Sequence, residues 1–183
     1  IKRTTDFNGE IYQYKVNSIN ITTIKNAVIV TSDVTNTINA NDSIKGIYSF
    51  IFDKTGNMTI SYKITPCITT TFIPIVGMAM KTEPLRWLGL GPEDAYPNKK
   101  AAPILGVYSA QNICGIKSTK WIEVTDARIQ VNGYIDHGPT ETNEIRILSH
   151  VLGRTEKGRL NDINYQLLSN KTYKGSFKIC YKR

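Results

Sequence analysis

The acidic residues Glu93 and Asp94 are neighbours in the sequence and invite comparison with a catalytic carboxylate pair. Two carboxyl groups that cleave a bond together must both reach that bond, one as an acid and the other as a base or nucleophile. Adjacent residues on an extended backbone point to opposite sides, so these two side chains cannot act together on one bond. We therefore interpret them as solvated loop carboxylates. No Ser-His-Asp or Cys-His arrangement is suggested either.

The cysteines and histidines are too widely spaced to predict a metal site. Cys67, Cys114 and Cys180 have no close Cys or His partner of the kind that a zinc site needs, and they are too few for a disulfide scaffold. His137 and His150 do not lie in an HExxH spacing. The sequence predicts free thiols, no metal and no cofactor.

Nucleotide and nucleic-acid binding find little support. The run Gly89-Leu90-Gly91-Pro92 lacks the third glycine of a dinucleotide site and the Gly-Lys-Ser/Thr of a phosphate-binding loop. The 23 Lys and Arg against 15 Asp and Glu give a net charge of +8. These cations are scattered, with adjacent pairs only at Lys2-Arg3, Lys99-Lys100 and Lys182-Arg183. A nucleic-acid footprint usually clusters its charges, so we expect no nucleic-acid partner.

The length and composition of the chain indicate how many domains could position a functional site. A chain of 183 residues with 40% hydrophobic residues suits one globular domain, and we expect a single domain over 1–183. No apolar run reaches the roughly 18 residues of a membrane-spanning helix, so we expect no membrane partner. The chain opens Ile1-Lys2-Arg3, without an initiator Met or signal peptide. We expect it to be a C-terminal fragment of a longer chain.

The dominant periodicity is two, which is typical of half-buried strands. The clearest case is a hairpin that joins Gly46–Asp53 to Met58–Ile64. Its aromatic and aliphatic residues alternate with polar ones, and its turn contains Gly56 and Asn57, both expected at positive φ. Within the first strand Tyr48, Phe50 and Phe52 share one face, and within the second Met58, Ile60, Tyr62 and Ile64 share one face.

The same pattern predicts further strands between turn residues. The segments are Glu10–Val16, Ala27–Thr31, Phe72–Met80, Leu85–Leu88, Trp121–Val131, Glu144–His150 and Gly175–Tyr181. A short helix over Asn161–Ser169 and a turn over Asp94–Tyr96 are the exceptions. Many short strands indicate an all-β fold, a large antiparallel β-sandwich of two packed sheets.

One long motif points to a family. The run 85–100 reads LRWLGLGPEDAYPNKK. It resembles the signature Trp-Leu-Gly-x-Gly-Pro-x-Glu-x-Tyr-Pro-Asp-Arg in the C-terminal domain of family 2 glycoside hydrolases, the large bacterial β-galactosidases. The matching residues are Trp87, Leu88, Gly89, Gly91, Pro92, Tyr96 and Pro97, with Asp94 in place of Glu. The resemblance implies a supersandwich like that of galactose mutarotases, with Ala101–Ser109 and Gly175–Arg183 as further strands.

Elementary chemistry gives the motif a structural meaning too. Gly89 and Gly91 allow a close backbone approach, and Pro92 with Pro97 fixes a loop that cannot continue a strand ladder. Trp87 lies inside a predicted strand, so we expect it to pack in the core. Tyr96 lies on the loop, where it could hold the loop down or stack on a sugar ring.

The resemblance implies carbohydrate metabolism and a role without catalysis. In family 2 enzymes the two catalytic carboxylates belong to a barrel domain that this chain does not contain. We expect the domain to be secreted to the periplasm or cell exterior and to pack against the catalytic and sandwich domains of its parent, supporting the barrel and bordering the sugar site. Galactosides are a further expected partner, with the carbohydrate-binding residues predicted as Tyr96, Asp94, Asn98 and Lys99.

Departures from the family pattern keep other functions open. The family's Asp-Arg pair is Asn98-Lys99 here, and no tryptophan follows Trp121 to close over a sugar. An independent carbohydrate-binding module is the main alternative to the supporting role. Mutarotation is a weaker one, because it needs an acid and a base beside a pyranose. The candidates for that pair are His137 with Glu141 or Glu144, and His150.

Overall fold

A computed structural model describes residues 13–37, 40–67, 76–81, 84–93, 95, 103–109, 116–137, 144–150 and 168–182. Within these ranges the chain forms eleven strands and no helix, and antiparallel pairs join the strands. The strands are β1 (Gln13–Ile24), β2 (Ala27–Thr37), β3 (Ser43–Asp53), β4 (Met58–Cys67), β5 (Val76–Lys81), β6 (Pro84–Gly91), β7 (Ile104–Ser109), β8 (Ile116–Val124), β9 (Ala127–His137), β10 (Glu144–His150) and β11 (Tyr173–Tyr181). The all-β, antiparallel prediction is confirmed. Nothing in the described ranges is a helix of a length and apolarity to span a membrane.

The chain divides into two compact units. The first, which we call unit 1, contains residues Ile1–Pro74 and Gln166–Ser176. Its strands lie in the order β1, β2, β3, β4 and the first part of β11. Alternation places apolar side chains on one face, where the buried members are Val34, Ile60, Tyr62, Ile64 and Tyr173.

The predicted β3–β4 hairpin is confirmed, with a first strand that begins earlier, at Ser43, and a second that ends later, at Cys67. Tyr48 lies opposite Tyr62, and their rings are 6.3 Å apart. Gly56 has φ +82°, as its turn position demands. The expectation for Asn57 was wrong, because its φ is not positive. Asn57 instead donates its backbone N–H and its side-chain amide to the Asp53 carboxylate.

The turn of this hairpin should make unit 1 sensitive to acid. Asp53 also accepts hydrogen bonds from the Thr55 hydroxyl (2.5 Å) and the Thr55 N–H (2.8 Å). The Thr55 hydroxyl is the main cause that lowers the pKa of Asp53 from 3.8 to about 2, with the donors of Asn57 adding to it. The unfolded chain therefore binds a proton at a pH where the folded hairpin does not, and folding stability is lost as pH falls from about 4 towards 2.

We expect Asp53→Asn to weaken the fold at neutral pH and to flatten its acid dependence between about pH 2 and 4. Urea unfolding followed by circular dichroism at several pH values measures this. Asp126→Asn, at an exposed turn, is the matched control and should leave the acid slope as in the wild type. An unchanged slope in Asp53→Asn would contradict the assignment.

Unit 2 contains residues Ile75–Tyr165 and Phe177–Arg183. Its strands lie in the order β7, β6, β8, β9 and the second part of β11. The first half of β9 pairs with β11 and its second half with β10, which pairs in turn with β5. The buried apolar face includes Trp87, Ile122, Val124, Ala127, Ile129, Val131, Ile135, Phe177 and Ile179.

Several predicted boundaries were wrong. Residues 121–131 were expected to form one strand, but a turn at Thr125-Asp126 separates β8 from β9. The strand expected over Glu10–Val16 instead runs from Gln13 to Ile24. Most of the helix expected over Asn161–Ser169, and both ends of the turn Asp94–Tyr96, lie outside the described residues. The single-domain organisation stays a prediction.

Candidate functional site

The family-like motif builds strand β6 of unit 2, and its aromatic residue covers its own glycines. Trp87, Gly89 and Gly91 alternate onto one face, and Trp87 is only 2% exposed. A Cβ on Gly91 would lie 2.5 Å from the Trp87 ring, and one on Gly89 would lie 2.8 Å from it. Any larger residue would therefore displace the indole. The predicted core packing of Trp87 and the close approach at both glycines are confirmed.

A tyrosine from β7 completes this packing. Tyr108 lies directly opposite Trp87 in the β6–β7 register, with ring centroids 4.9 Å apart and ring planes inclined by 32°. Its hydroxyl lies 2.9 Å from the carbonyl oxygen of Gly91 and 2.7 Å from that of Ile104, and donates to these backbone acceptors. The two aromatic rings and the glycines beneath them thus join β6 firmly to β7. We call this set the aromatic clamp.

The predicted carbohydrate-binding residues, Tyr96, Asp94, Asn98 and Lys99, lie outside the described residues. Their assignment stays a prediction. Glu93, which precedes these residues, is exposed, and Ala95, which lies between Asp94 and Tyr96, is only 1% exposed. The chain is therefore buried at Ala95.

The opposite face of β6 carries a charged cluster that the sequence did not reveal. Glu123 of β8 accepts a hydrogen bond from Arg86 (Nε–Oε2 2.5 Å) and one from Lys182 (Nζ–Oε1 2.9 Å). Arg128 of β9 lies at 3.8 Å (Nη2–Oε2). These residues are far apart in the chain, so no spacing rule could have brought them together. Only strand register does so, because Glu123 pairs with both Arg86 and Arg128.

The cluster excludes Glu123 as a catalytic acid. The Lys182 ammonium and then the Arg86 guanidinium lower the pKa of this carboxyl from 4.5 to about 2. A general acid must hold a proton near the operating pH, and Glu123 is ionised well below neutrality. Its role is structural, since Lys182 also donates to the carbonyl oxygens of Val124 (3.3 Å) and Thr125 (3.2 Å). The chain end is thereby held against the β8–β9 turn.

The histidines and cysteines do not form a described site. By register, His137 pairs with Ile145 near the start of β10, whereas His150 ends that strand. Five residues of strand separate the two positions, about 17 Å. Cys67 and Cys180 are free thiols, as predicted, whereas Cys114 lies outside the described residues. Within the described ranges, no group of three His, Cys, Asp or Glu residues could hold a metal ion.

Unit 1 offers a different surface, a depression of about 520 Å³ on one face of its sheet. Its lining combines apolar and polar side chains, because Ile47, which is 45% exposed, lies among serines and lysines. Tyr62 also lines it, but this residue is buried and presents no open ring for sugar stacking. None of the described residues that line the depression carries a carboxylate. Its polar lining consists of Ser49, Ser61, Lys63, Lys174 and Ser176.

These features define an all-β domain whose most distinctive strand is a packing element rather than a reaction centre. Comparison with known proteins gives the particular family. A family model described as beta galactosidase small chain matches residues 3–113, more than half of the chain. The protein belongs to this β-galactosidase small chain family, which confirms the resemblance carried by the run 85–100 and agrees with the predicted β-sandwich fold class.

Other comparisons add little. No curated protein matches the chain. Among solved structures, a galactose mutarotase related enzyme from Lactobacillus acidophilus is similar over 96% of this chain and 72% of that one, at 9% sequence identity and a TM-score of 0.30. A TM-score of this size supports no conclusion about activity, so none is taken from that enzyme.

Proposed function

We propose that the protein is a non-catalytic supporting domain of a β-galactosidase-like family 2 glycoside hydrolase. It packs against the catalytic barrel and the sandwich domains of its parent. The observation that carries this proposal is the aromatic clamp: the residues most typical of the family, Trp87, Gly89 and Gly91, are used for internal packing. The ionised state of Glu123 also supports it, because that carboxyl cannot serve as the acid of a hydrolase.

A contribution to the sugar site belongs to the same proposal. Tyr96, Asp94, Asn98 and Lys99 would border the galactoside from the loop that follows the aromatic clamp. The anchoring of that loop at Ala95 supports this, since a binding loop needs a fixed base. We also propose that the parent is exported to the periplasm or cell exterior, and that neither nucleic acid nor a membrane is a partner of this domain.

The first test is activity. We expect the isolated chain to show no hydrolysis of an aryl-β-galactoside, because it lacks the acid and nucleophile pair. Addition of the chain to the catalytic domains of the parent, expressed as a separate polypeptide, should raise that polypeptide's hydrolysis rate or its thermal midpoint. Turnover by the purified chain alone, lost on replacing one of its own carboxylates such as Glu93→Gln, would overturn the proposal. So would a catalytic polypeptide indifferent to the chain.

The second candidate is an independent carbohydrate-binding module, which the depression of unit 1 favours because serine hydroxyls, lysines and the apolar Ile47 line it together. Calorimetric titration with galactose, lactose and a β-linked oligosaccharide separates the two functions. A supporting domain should bind these sugars negligibly on its own. Saturable binding lost in Ser61→Ala or Tyr96→Ala, with the fold unchanged, would establish the module and would tell which of the two surfaces binds.

A further inference from the structure

The face of unit 2 that carries the charged cluster also exposes a continuous set of apolar side chains. Strand register places them side by side: Leu90 pairs with Leu105, and Leu88 pairs with both Val107 and Trp121. Leu105 is 64% exposed and Val107 is 56% exposed. We call these five residues the apolar step. Neighbouring strands are about 4.8 Å apart, so the step spans three strands of one flat sheet face.

The cations of the cluster border the apolar step. Arg86 precedes Leu88 by two residues on the same face of β6, about 7 Å away, and Arg128 lies over the Trp121 ring at 4.5 Å. Arg86, Arg128 and Lys182 have half-exposed side chains. We call these three residues the cationic rim. They surround a single carboxylate, Glu123, so two positive charges of the cluster remain uncompensated by it.

We infer that the apolar step and the cationic rim together bind a protein surface that presents apolar side chains beside carboxylates. The chemistry of the rim specifies the partner. Each guanidinium has five N–H donors in a planar fork, and Arg86 directs only its Nε to Glu123. The Arg86 side chain is 55% exposed, and a guanidinium fork suits a bidentate carboxylate. This inference rests on the proposed function, because the occupant is taken to be the catalytic polypeptide of the parent.

Charge argues against a second copy of the chain as the occupant. Such a copy would place one cationic rim against another, and like charges across an interface are repelled. A net positive rim attracts carboxylates on a protein partner, and sheet faces commonly pack on a complementary protein layer. The same charge would attract an anionic membrane, so vesicle binding is a separate outcome of the test.

The experiment measures the affinity of the full chain for the catalytic domains of the parent, expressed as a separate polypeptide, by calorimetry at two salt concentrations. We expect Val107→Asp and Arg128→Glu each to raise the Kd about tenfold or more. Arg128 is chosen because its contact with Glu123 is the longest of the three. The matched controls lie in unit 1: Ile21→Asp, at a comparably exposed apolar position, and Lys45→Glu, at an exposed cation. Both should bind as the wild type.

The outcomes separate this inference from the proposed function. Wild-type affinity in both Val107→Asp and Arg128→Glu would overturn the inference and leave the proposed function intact. No binding of the catalytic polypeptide to the wild type would overturn both. A dimer in light scattering that Val107→Asp disperses, or binding to phosphatidylcholine–phosphatidylglycerol vesicles that Arg128→Glu abolishes, would also overturn it. Thermal melting by circular dichroism establishes that each variant is folded.

Discussion

Replacing Trp87 with Ala should lower the free energy of unfolding by about 3–5 kcal/mol. The indole is buried, lies against Tyr108 and fills the space above two glycines, so its removal opens a cavity with no side chain available to close it. Urea unfolding followed by far-UV circular dichroism measures the loss.

The second tryptophan provides a matched control. Trp121 is half-buried on the opposite face of unit 2, where Arg128 covers its ring. Trp121→Ala should therefore cost clearly less than Trp87→Ala, because less of its surface leaves water on folding. Equal losses of unfolding free energy in the two variants would mean that Trp87 stabilises the fold no more than a half-buried tryptophan does. A negligible loss in Trp87→Ala would contradict its burial.

The same substitution bears on function. If the Trp-Leu-Gly-x-Gly motif is a packing element, Trp87→Ala should weaken the fold, whereas Tyr96→Ala should leave the melting temperature nearly unchanged. When galactoside affinity is measured for either variant in the assembled enzyme, the melting temperature of that variant shows whether a loss of affinity comes from unfolding. The structure already separates the two aromatics in one respect, since Trp87 has no accessible ring face for a sugar.

Local sequence was sufficient to predict the β3–β4 hairpin and the inward position of Trp87. Alternation fixes which face each side chain takes, and Gly56 fixes the turn. The break between β8 and β9 was missed because Thr125-Asp126 is a weak turn signal without glycine or proline, inside a run of β-branched residues. Residues on both sides of it still fit a single strand by composition.

The cluster around Glu123 could not be predicted for a different reason. Its members come from three strands of unit 2 and from Lys182, just after β11, and each looks like an ordinary surface charge in the sequence. Only the pairing of β6, β8 and β9 brings Arg86 and Arg128 onto one carboxylate. Register across long loops is set by tertiary packing, which a single sequence does not display. The apolar step could not be predicted for the same reason, because strand register alone places its five residues side by side.

Strand β6 connects the two properties proposed for this domain. Its residues alternate between the aromatic clamp on one face and the apolar step with Arg86 on the other. The buried face fixes the strand in one position, so the exposed face is presented rigidly to a partner. Rigid presentation reduces the entropy lost on binding. The packing of one face of β6 can thus support an interface on its other face. We therefore expect a substitution in the aromatic clamp to weaken both the stability of the fold and the binding of a partner.

Gly89→Ala tests the tightest contact of this strand, and we expect it to cost about 3 kcal/mol. A Cβ at this position would collide with the backbone carbonyl oxygen of Ser118 as well as with the Trp87 ring. The approach is close because β8 has an irregularity between Thr119 and Trp121, opposite β9, and a matching register shift between Leu88 and Gly89. A side chain could turn away from the added methyl group, but a backbone carbonyl held in the sheet cannot.

Gly106→Ala is the matched control, because Gly106 pairs with Gly89 in the adjacent strand. Its Cβ would meet only the outer end of the Tyr108 ring, at 3.1 Å, and that ring can shift by a few tenths of an ångström. We expect a cost of about 1 kcal/mol or less, since alanine also suits a strand better than glycine does. Urea unfolding of both variants gives the comparison. If Gly89→Ala is no more destabilising than Gly106→Ala, the Ser118 carbonyl does not constrain β6, and the requirement for glycine in the family motif needs another cause.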